Sequence, residues 1–181
     1  SLSEEAKISL KSFKPKSLQG DSILASIYKK LGVETAFIKD EMIISKVPDF
    51  VLPKSISLNL NNSPDIAQTI AVSCFGLGIN CELSGLKTLK IKETDRLIAL
   101  KNELEKLGAD VNVTEDSISV NSQNSIKKDI IINTYNDHRM AMAFAPLGLK
   151  TRITIKNPMV VTKSYPLFWD HLHQIGFKIE K

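Results

Sequence analysis

Cysteine is scarce in this chain, with two residues, Cys74 and Cys81, in 181. They have no CxxC spacing and fall in an expected helix and an expected strand. That argues against a disulfide framework or a zinc site and for two small buried apolar side chains. Long apolar runs are also missing. Lys and Asp interrupt the hydrophobic stretches before they reach the length of a bilayer span, and no basic-then-apolar leader opens the chain, so a cytoplasmic location is expected and no membrane partner. Aromatic residues make up only 6% and do not interleave with the basic ones, and there is no long Lys/Arg block. The stacking surface of a nucleic-acid binder is therefore not visible, and no nucleic-acid partner is expected. Neither a P-loop, a GxGxxG turn nor a nucleophile elbow occurs.

What remains is an ordinary globular composition, 43% hydrophobic and 24% charged, enough for one domain or two small ones. The net charge of +4 favours anionic partners, and small phosphorylated or carboxylated ligands fit it best.

The densest charge lies from Lys90 to Arg96, KIKETDR, directly ahead of an apolar helical run. Read plainly, this is a solvated helix start: Thr94 or Thr88 caps, Glu93 and Asp95 suit the positive end of the helix dipole, and Leu97, Leu100, Leu104 and Leu107 form the buried stripe. Read functionally, Lys92, Glu93 and Arg96 converge on an anion at a helix N-terminus.

Along the chain, residues 1–7 read as the tail of a helix, so the sequence is expected to begin mid-domain. A strand over 8–13, a helix over 19–31 and two short strands over 33–38 and 42–45 come next. From residue 55 the order is strand 56–60, helix 65–76, strand 80–84, the KETDR helix to 107, and strands 110–114 and 117–120. It then restarts with strand 129–134, helix 137–147, strand 152–156, helix 162–175 and strand 177–180.

These units overlay. At an offset of 72 residues PDIAQTIAVSCFGLG lies on NDHRMAMAFAPLGLK, placing Asp65 on Asp137 and Gly76 on Gly148. The triplets Lys30-Leu31-Gly32, Lys106-Leu107-Gly108 and Gln174-Ile175-Gly176 each close a helix. The expected architecture is thus α/β (α+β), with repeated βαβαββ units over about 1–46 (truncated), 55–120 and 129–181 in one domain.

In such a repeat the equivalent helix starts gather at one end. They carry Asp65; Lys92, Glu93 and Arg96; Asp137, His138 and Arg139; and Lys163. The basic members suit a ligand bearing both carboxylate and phosphate, and carboxylates held among them suit proton transfer. Each also has a plainer role: Asp65 as a first-turn acid, Asp137 as a cap and His138 as a structural histidine. His171 and His173 stand on different helix faces, which disfavours a metal pair.

The segments SLQGD, SPDIAQT, KIKETDRL, YNDHRMAMAFA and VTKSYPLFW resemble, in order and spacing, successive motifs of the 3-phosphoshikimate 1-carboxyvinyltransferase (EPSP synthase) family. The resemblance implies one lobe, the C-terminal one, of a two-lobed enolpyruvyl transferase with an inside-out barrel fold and three units around a pseudo-threefold. The N-terminal lobe is expected to be absent, and with it any turnover by this chain alone. Also implied is that the family's extreme N-terminal strand returns to this lobe, where the last unit is one strand short. The implied reaction moves the enolpyruvyl group of phosphoenolpyruvate to the 5-hydroxyl of shikimate 3-phosphate without metal or organic cofactor. By motif, Asp65 resembles the residue that binds shikimate 3-phosphate and takes its hydroxyl proton, and Lys92 resembles a second contact to it. Glu93 resembles the proton carrier at C3, and Arg96, Arg139 and Lys163 resemble the phosphoenolpyruvate clamp. His138 and Asp137 stand second in line. Thr88 departs from the family, many of whose members have Asn there. The alternatives are a UDP-N-acetylglucosamine enolpyruvyl transferase-like lobe and a noncatalytic anion- or RNA-binding module.

Overall fold

Alternation of apolar and polar residues makes β1 (Lys7–Lys11) a half-buried strand, with Ile8 and Leu10 on its more buried face. The computed structural model, which describes residues 1–11, 20–122 and 125–180, pairs β1 with the hairpin of β2 (Val33–Ile38) and β3 (Glu41–Lys46). The result is an antiparallel sheet of order β1-β3-β2, beside which α1 (Leu24–Lys29) follows a 3-10 turn. Residues 12–19 lie outside the described residues. The end of the first expected strand, the start of the first expected helix and Ser17 to Gln19 of the SLQGD motif fall there.

The middle unit is the fullest. It runs through β4 (Ser55–Asn59), α2 (Ala67–Leu77), β5 (Asn80–Ser84), α3 (Arg96–Leu107), β6 (Asp110–Val113) and β7 (Ser117–Asn121). Its sheet has the order β4-β5-β7-β6, with β4 parallel to β5 and the other pairs antiparallel. Nearly all of α2 from Ala67 to Gly76 is buried, as expected of a helix apolar on most sides. By contrast α3 is amphipathic: Leu97, Leu100, Leu104 and Leu107 are fully buried. Gly108 closes it in the left-handed conformation at φ 106°.

The last unit comprises β8 (Ile130–Ile132), α4 (His138–Phe144), β9 (Ile153–Ile155) and α5 (Phe168–Gln174). β8 and β9 form a parallel pair. One hydrophobic core runs through all three units, from Ile27 through Phe75 and Leu100 to Phe144, and a small satellite joins Ala141 and Ala145 to Val161 and Phe168. Cys74 on α2 and Cys81 on β5 are free and buried in that core. Contact with Cys81, together with burial, pushes the Cys74 thiol above its usual range.

Four expectations need correction. Residues 1–6 are not helical, and Leu2 instead tucks beneath α2, where a Cβ on Gly76 would come within 2.6 Å of it. α4 stops at Phe144 because Pro146 cannot continue the α-helical ladder, and a 3-10 turn (Ala145–Leu149) takes over. α5 begins at Phe168, not at residue 162, since Pro166 biases Tyr165 away from helical backbone. Finally, residues 177–180 form no strand. Laid on the middle unit, they correspond to β6, which reaches β5 only through β7. The last unit has no described equivalent of β7, so the segment lacks the strand it would pair with.

Candidate functional site

The site is built around Arg96, the first residue of α3. Thr94 and Thr88 do not cap that helix; Asp95 does, its Oδ1 accepting from the backbone N–H groups of Leu97 and Ile98 at 3.1 Å each. The helix therefore starts one residue past Asp95. Lys92 and Glu93 precede it, on the bend after a 3-10 turn (Lys87–Ile91).

Arg96 is only 2% exposed, and its guanidinium is shared among three carboxylates from three segments. Nε donates to Asp137 Oδ2 at 2.6 Å, Nη1 to Asp65 Oδ1 at 2.8 Å and Nη2 to Glu93 Oε2 at 2.7 Å. Asp137 is fully buried, and its other oxygen caps α4 by accepting from the Arg139 N–H at 2.8 Å. It is at once the cap of α4, as its plainer reading expects, and a charge partner of Arg96. The planar fork of Arg suits this division of labour, which an ammonium could not reproduce.

Asp65 lies in the 3-10 turn (Pro64–Ile66) that leads into α2. Around its carboxylate stand three cations: Arg96, Lys92 at 3.5 Å and Arg139 at 3.7 Å. Arg139 also donates to the Asp65 carbonyl at 3.0 Å, tying α4 to α2. Hydrogen bonding within its own backbone, aided by the charges of Arg96, His138 and Lys163, holds the Glu93 carboxyl below the usual carboxylate range despite some burial. Glu93 is therefore ionised at neutral pH. Burial, aided by the Arg139 and Arg96 charges, lowers the His138 pKa against the pull of Asp137 and Glu93. Its Nδ1 is buried 3.8 Å from Asp137 Oδ1 with no hydrogen-bond partner among the described residues.

Seven of the eight residues singled out in the sequence thus come together: Asp65, Lys92, Glu93, Arg96, Asp137, His138 and Arg139. Lys163 is exposed in the turn after a 3-10 segment (Pro158–Val161), not at a helix start, and close enough for Glu93 to feel its charge. Potential metal-ligating atoms of Glu93, Asp137 and His138 lie within 4.8 Å of one another. The guanidinium of Arg96 already bridges the two carboxylates, so the cation that balances them is the protein's own.

Sequence reasoning missed Glu103. This α3 carboxylate is fully buried and accepts from Lys106 Nζ at 2.7 and 2.6 Å, from the Tyr135 hydroxyl at 2.7 Å and from the Asn133 N–H at 3.1 Å. The available signal was its spacing, two helical turns from Arg96 and on the leucine face.

Comparison with known proteins shows the family. A family model described as EPSP synthase (3-phosphoshikimate 1-carboxyvinyltransferase) matches residues 1–172. The 3-phosphoshikimate 1-carboxyvinyltransferase of Bacteroides fragilis is 40% identical over 182 residues, covering 99% of this chain and 44% of that protein. That of Methanobrevibacter smithii is 35% identical over 164 residues, covering 91% and 36%. Among solved structures, an EPSP synthase from Acinetobacter baumannii superimposes with a TM-score of 0.78 at 25% identity, over 99% of this chain and 44% of that one. The enolpyruvyl transferase NikO from Streptomyces tendae shares the fold, with a TM-score of 0.70 at 15% identity, over 98% and 40%. The chain spans less than half the length of these relatives.

Proposed function

The chain belongs to the EPSP synthase family, and on that premise we propose that it serves as the C-terminal lobe of a 3-phosphoshikimate 1-carboxyvinyltransferase. Its 181 residues act as one domain, with repeat copies over about 1–46, 55–120 and 129–181. The N-terminal lobe supplies the rest of the active site. It also supplies the strand that fits between β9 and residues 177–180.

One observation carries this reading. Arg96 draws carboxylates from three segments to a point that Lys92 and Arg139 also reach, so acids and bases for proton transfer stand beside cations for an anionic substrate. Arg96, Arg139 and Lys163 hold the carboxylate and phosphate of phosphoenolpyruvate, while Asp65 and Lys92 hold shikimate 3-phosphate. Asp65 takes the proton of the 5-hydroxyl as its oxygen bonds to C2 of phosphoenolpyruvate and C3 gains a proton from Glu93. Glu93 then recovers a proton from C3 as the C2–O bond to phosphate breaks. Asp137 and His138 act behind these groups.

The electrostatics fit this cycle. Without ligand Glu93 is a carboxylate held by Arg96, which is the wrong form to give a proton. An arriving polyanion competes for the guanidinium and adds negative charge nearby, and both effects raise the Glu93 pKa toward a protonated state.

The test is release of phosphate from phosphoenolpyruvate and shikimate 3-phosphate. No turnover is expected from the chain alone, and measurable turnover from the chain mixed with the matching N-terminal lobe. UDP-N-acetylglucosamine replacing shikimate 3-phosphate should not react; a reaction there would favour the related transferase. Tight RNA binding with a steep salt dependence, unaffected by Arg96→Ala with Arg139→Ala, would overturn the enzymatic reading.

A further inference from the structure

We propose that Glu103 is a positioning residue: from the buried face of α3 it fixes the segment that presents Asp137, His138 and Arg139 to the site. The link to phosphoenolpyruvate rests on the functional reading above, whereas the link to geometry does not.

The segment in question is Asn133 to Asn136, between β8 and α4. Tyr135 and Asn136 both adopt left-handed backbone, at φ 54° and 56°, although neither is glycine. Two such residues in succession are unfavourable and persist only where the surroundings enforce them. Within the segment, the Asp137 N–H donates to the Thr134 carbonyl at 2.8 Å, closing the turn. From outside, Glu103 accepts from the Asn133 N–H with one oxygen and from the Tyr135 hydroxyl with the other. Lys106 supplies the balancing charge by donating to both oxygens. Burial and the Glu103 hydrogen bond together raise the Tyr135 pKa, so the phenol stays a donor at neutral pH.

Arg96 and Glu103 are seven residues apart, which puts them on one face of α3 about 10 Å apart along the axis. The helix therefore grips the segment twice. Glu103 holds its start at Asn133 and Tyr135, and Arg96 holds its end at Asp137. β8 is paired only with β9 among the described residues and packs against α3, while α4 packs against α2, so the two side-chain grips from α3 bear on the turn between β8 and α4. If the Glu103 grip is released, the turn relaxes and Arg139, whose guanidinium must reach the Asp65 carbonyl, is misplaced.

Tyr135→Phe removes one hydroxyl, and Glu103→Gln keeps the shape while changing the charge. Ser122→Ala is the control, deleting a buried hydrogen bond to the Ile79 carbonyl remote from the site. Nuclear magnetic resonance of the chain is expected to show the Arg96 Nε–H and the His138 and Arg139 amides shifted in Tyr135→Phe and Glu103→Gln but not in Ser122→Ala. In the two-lobed enzyme, phosphoenolpyruvate affinity is expected to fall about tenfold in Tyr135→Phe, the worth of one hydrogen bond to a charged group. Shikimate 3-phosphate affinity should fall less than phosphoenolpyruvate affinity, because Asp65 and Lys92 sit on other segments and feel the change only through the contacts of Arg139 with Asp65. Unmoved resonances in Tyr135→Phe overturn the proposal, as does a loss of phosphoenolpyruvate affinity no larger than in Ser122→Ala. If the unmutated enzyme binds no phosphoenolpyruvate, the functional reading fails and the resonances alone decide the role of Glu103.

Discussion

At the scale of the residue, Arg96 governs both stability and charge balance. Arg96→Ala strands the fully buried Asp137 without its cation, and unfolding by denaturant should show a loss of about 3–5 kcal/mol, the cost of breaking a buried pair from one side. Arg96→Lys keeps the charge but cannot reach Asp65, Glu93 and Asp137 together, so it should recover only part of that loss. Protonation gives a second prediction. Because the folded-state pKa of His138 is lowered, protons bind the unfolded chain more readily. Stability should therefore fall as pH drops from about 6.5 toward the lowered value and level off below it. Glu93, also lowered, adds stability that is intact above about 4.5 and is lost as pH falls through its folded pKa. Thermal melts from pH 8 to pH 3 check both, and His138→Gln should remove the upper step alone. The sequence made these charges visible as a set but not the burial of Arg96. A charged residue at a helix start reads as solvated, and its partners Asp65 and Asp137 lie 31 and 41 residues away in the chain.

At the scale of the element, boundaries decide which groups face the site. Asp95, as the cap of α3, leaves Glu93 outside the helix, where it can turn back onto Arg96. Asp95→Ala should cost about 1 kcal/mol in equilibrium unfolding. The loop after β5 depends on Gly85, at φ 77°, where an added Cβ would lie 2.5 Å from the Asn61 backbone nitrogen. Gly85→Ala should therefore destabilise by about 1–3 kcal/mol, with Asn61 shifting as well. α3 was legible because leucines at helical spacing and Gly108 mark its face and its end. The start of α5 was not, since the apolar pattern of VTKSYPLFW outweighed Pro166. Helical periodicity shows which side of a segment is buried, and proline then limits where the segment can begin.

At the scale of the whole molecule, the order of each sheet follows from the repeat. The middle unit is the fullest, and the units on either side are partial versions of it. The sequence pointed to that pattern through the overlay of Asp65 on Asp137 for the last unit and through the triplet Lys30-Leu31-Gly32 for the first. The fate of residues 177–180 was not, because a strand pattern describes a side chain's preference for one face and does not reveal whether a neighbour exists to take its hydrogen bonds. On the proposed assembly, hydrogen exchange at residues 177–180 should be fast in the chain alone and slow by at least about tenfold once the other lobe contributes its strand. Unchanged exchange would count against that assembly. The two thiols of the core offer a clock for motions of the same molecule. Cys74 and Cys81 are almost inaccessible, so an alkylating reagent can label them only when α2 lifts from β5. The same helix begins directly after the turn bearing Asp65. A ligand that ties Asp65 to Arg96 and Arg139 should therefore slow alkylation in proportion to how far its concentration exceeds its dissociation constant, turning two silent side chains into a gauge of occupancy.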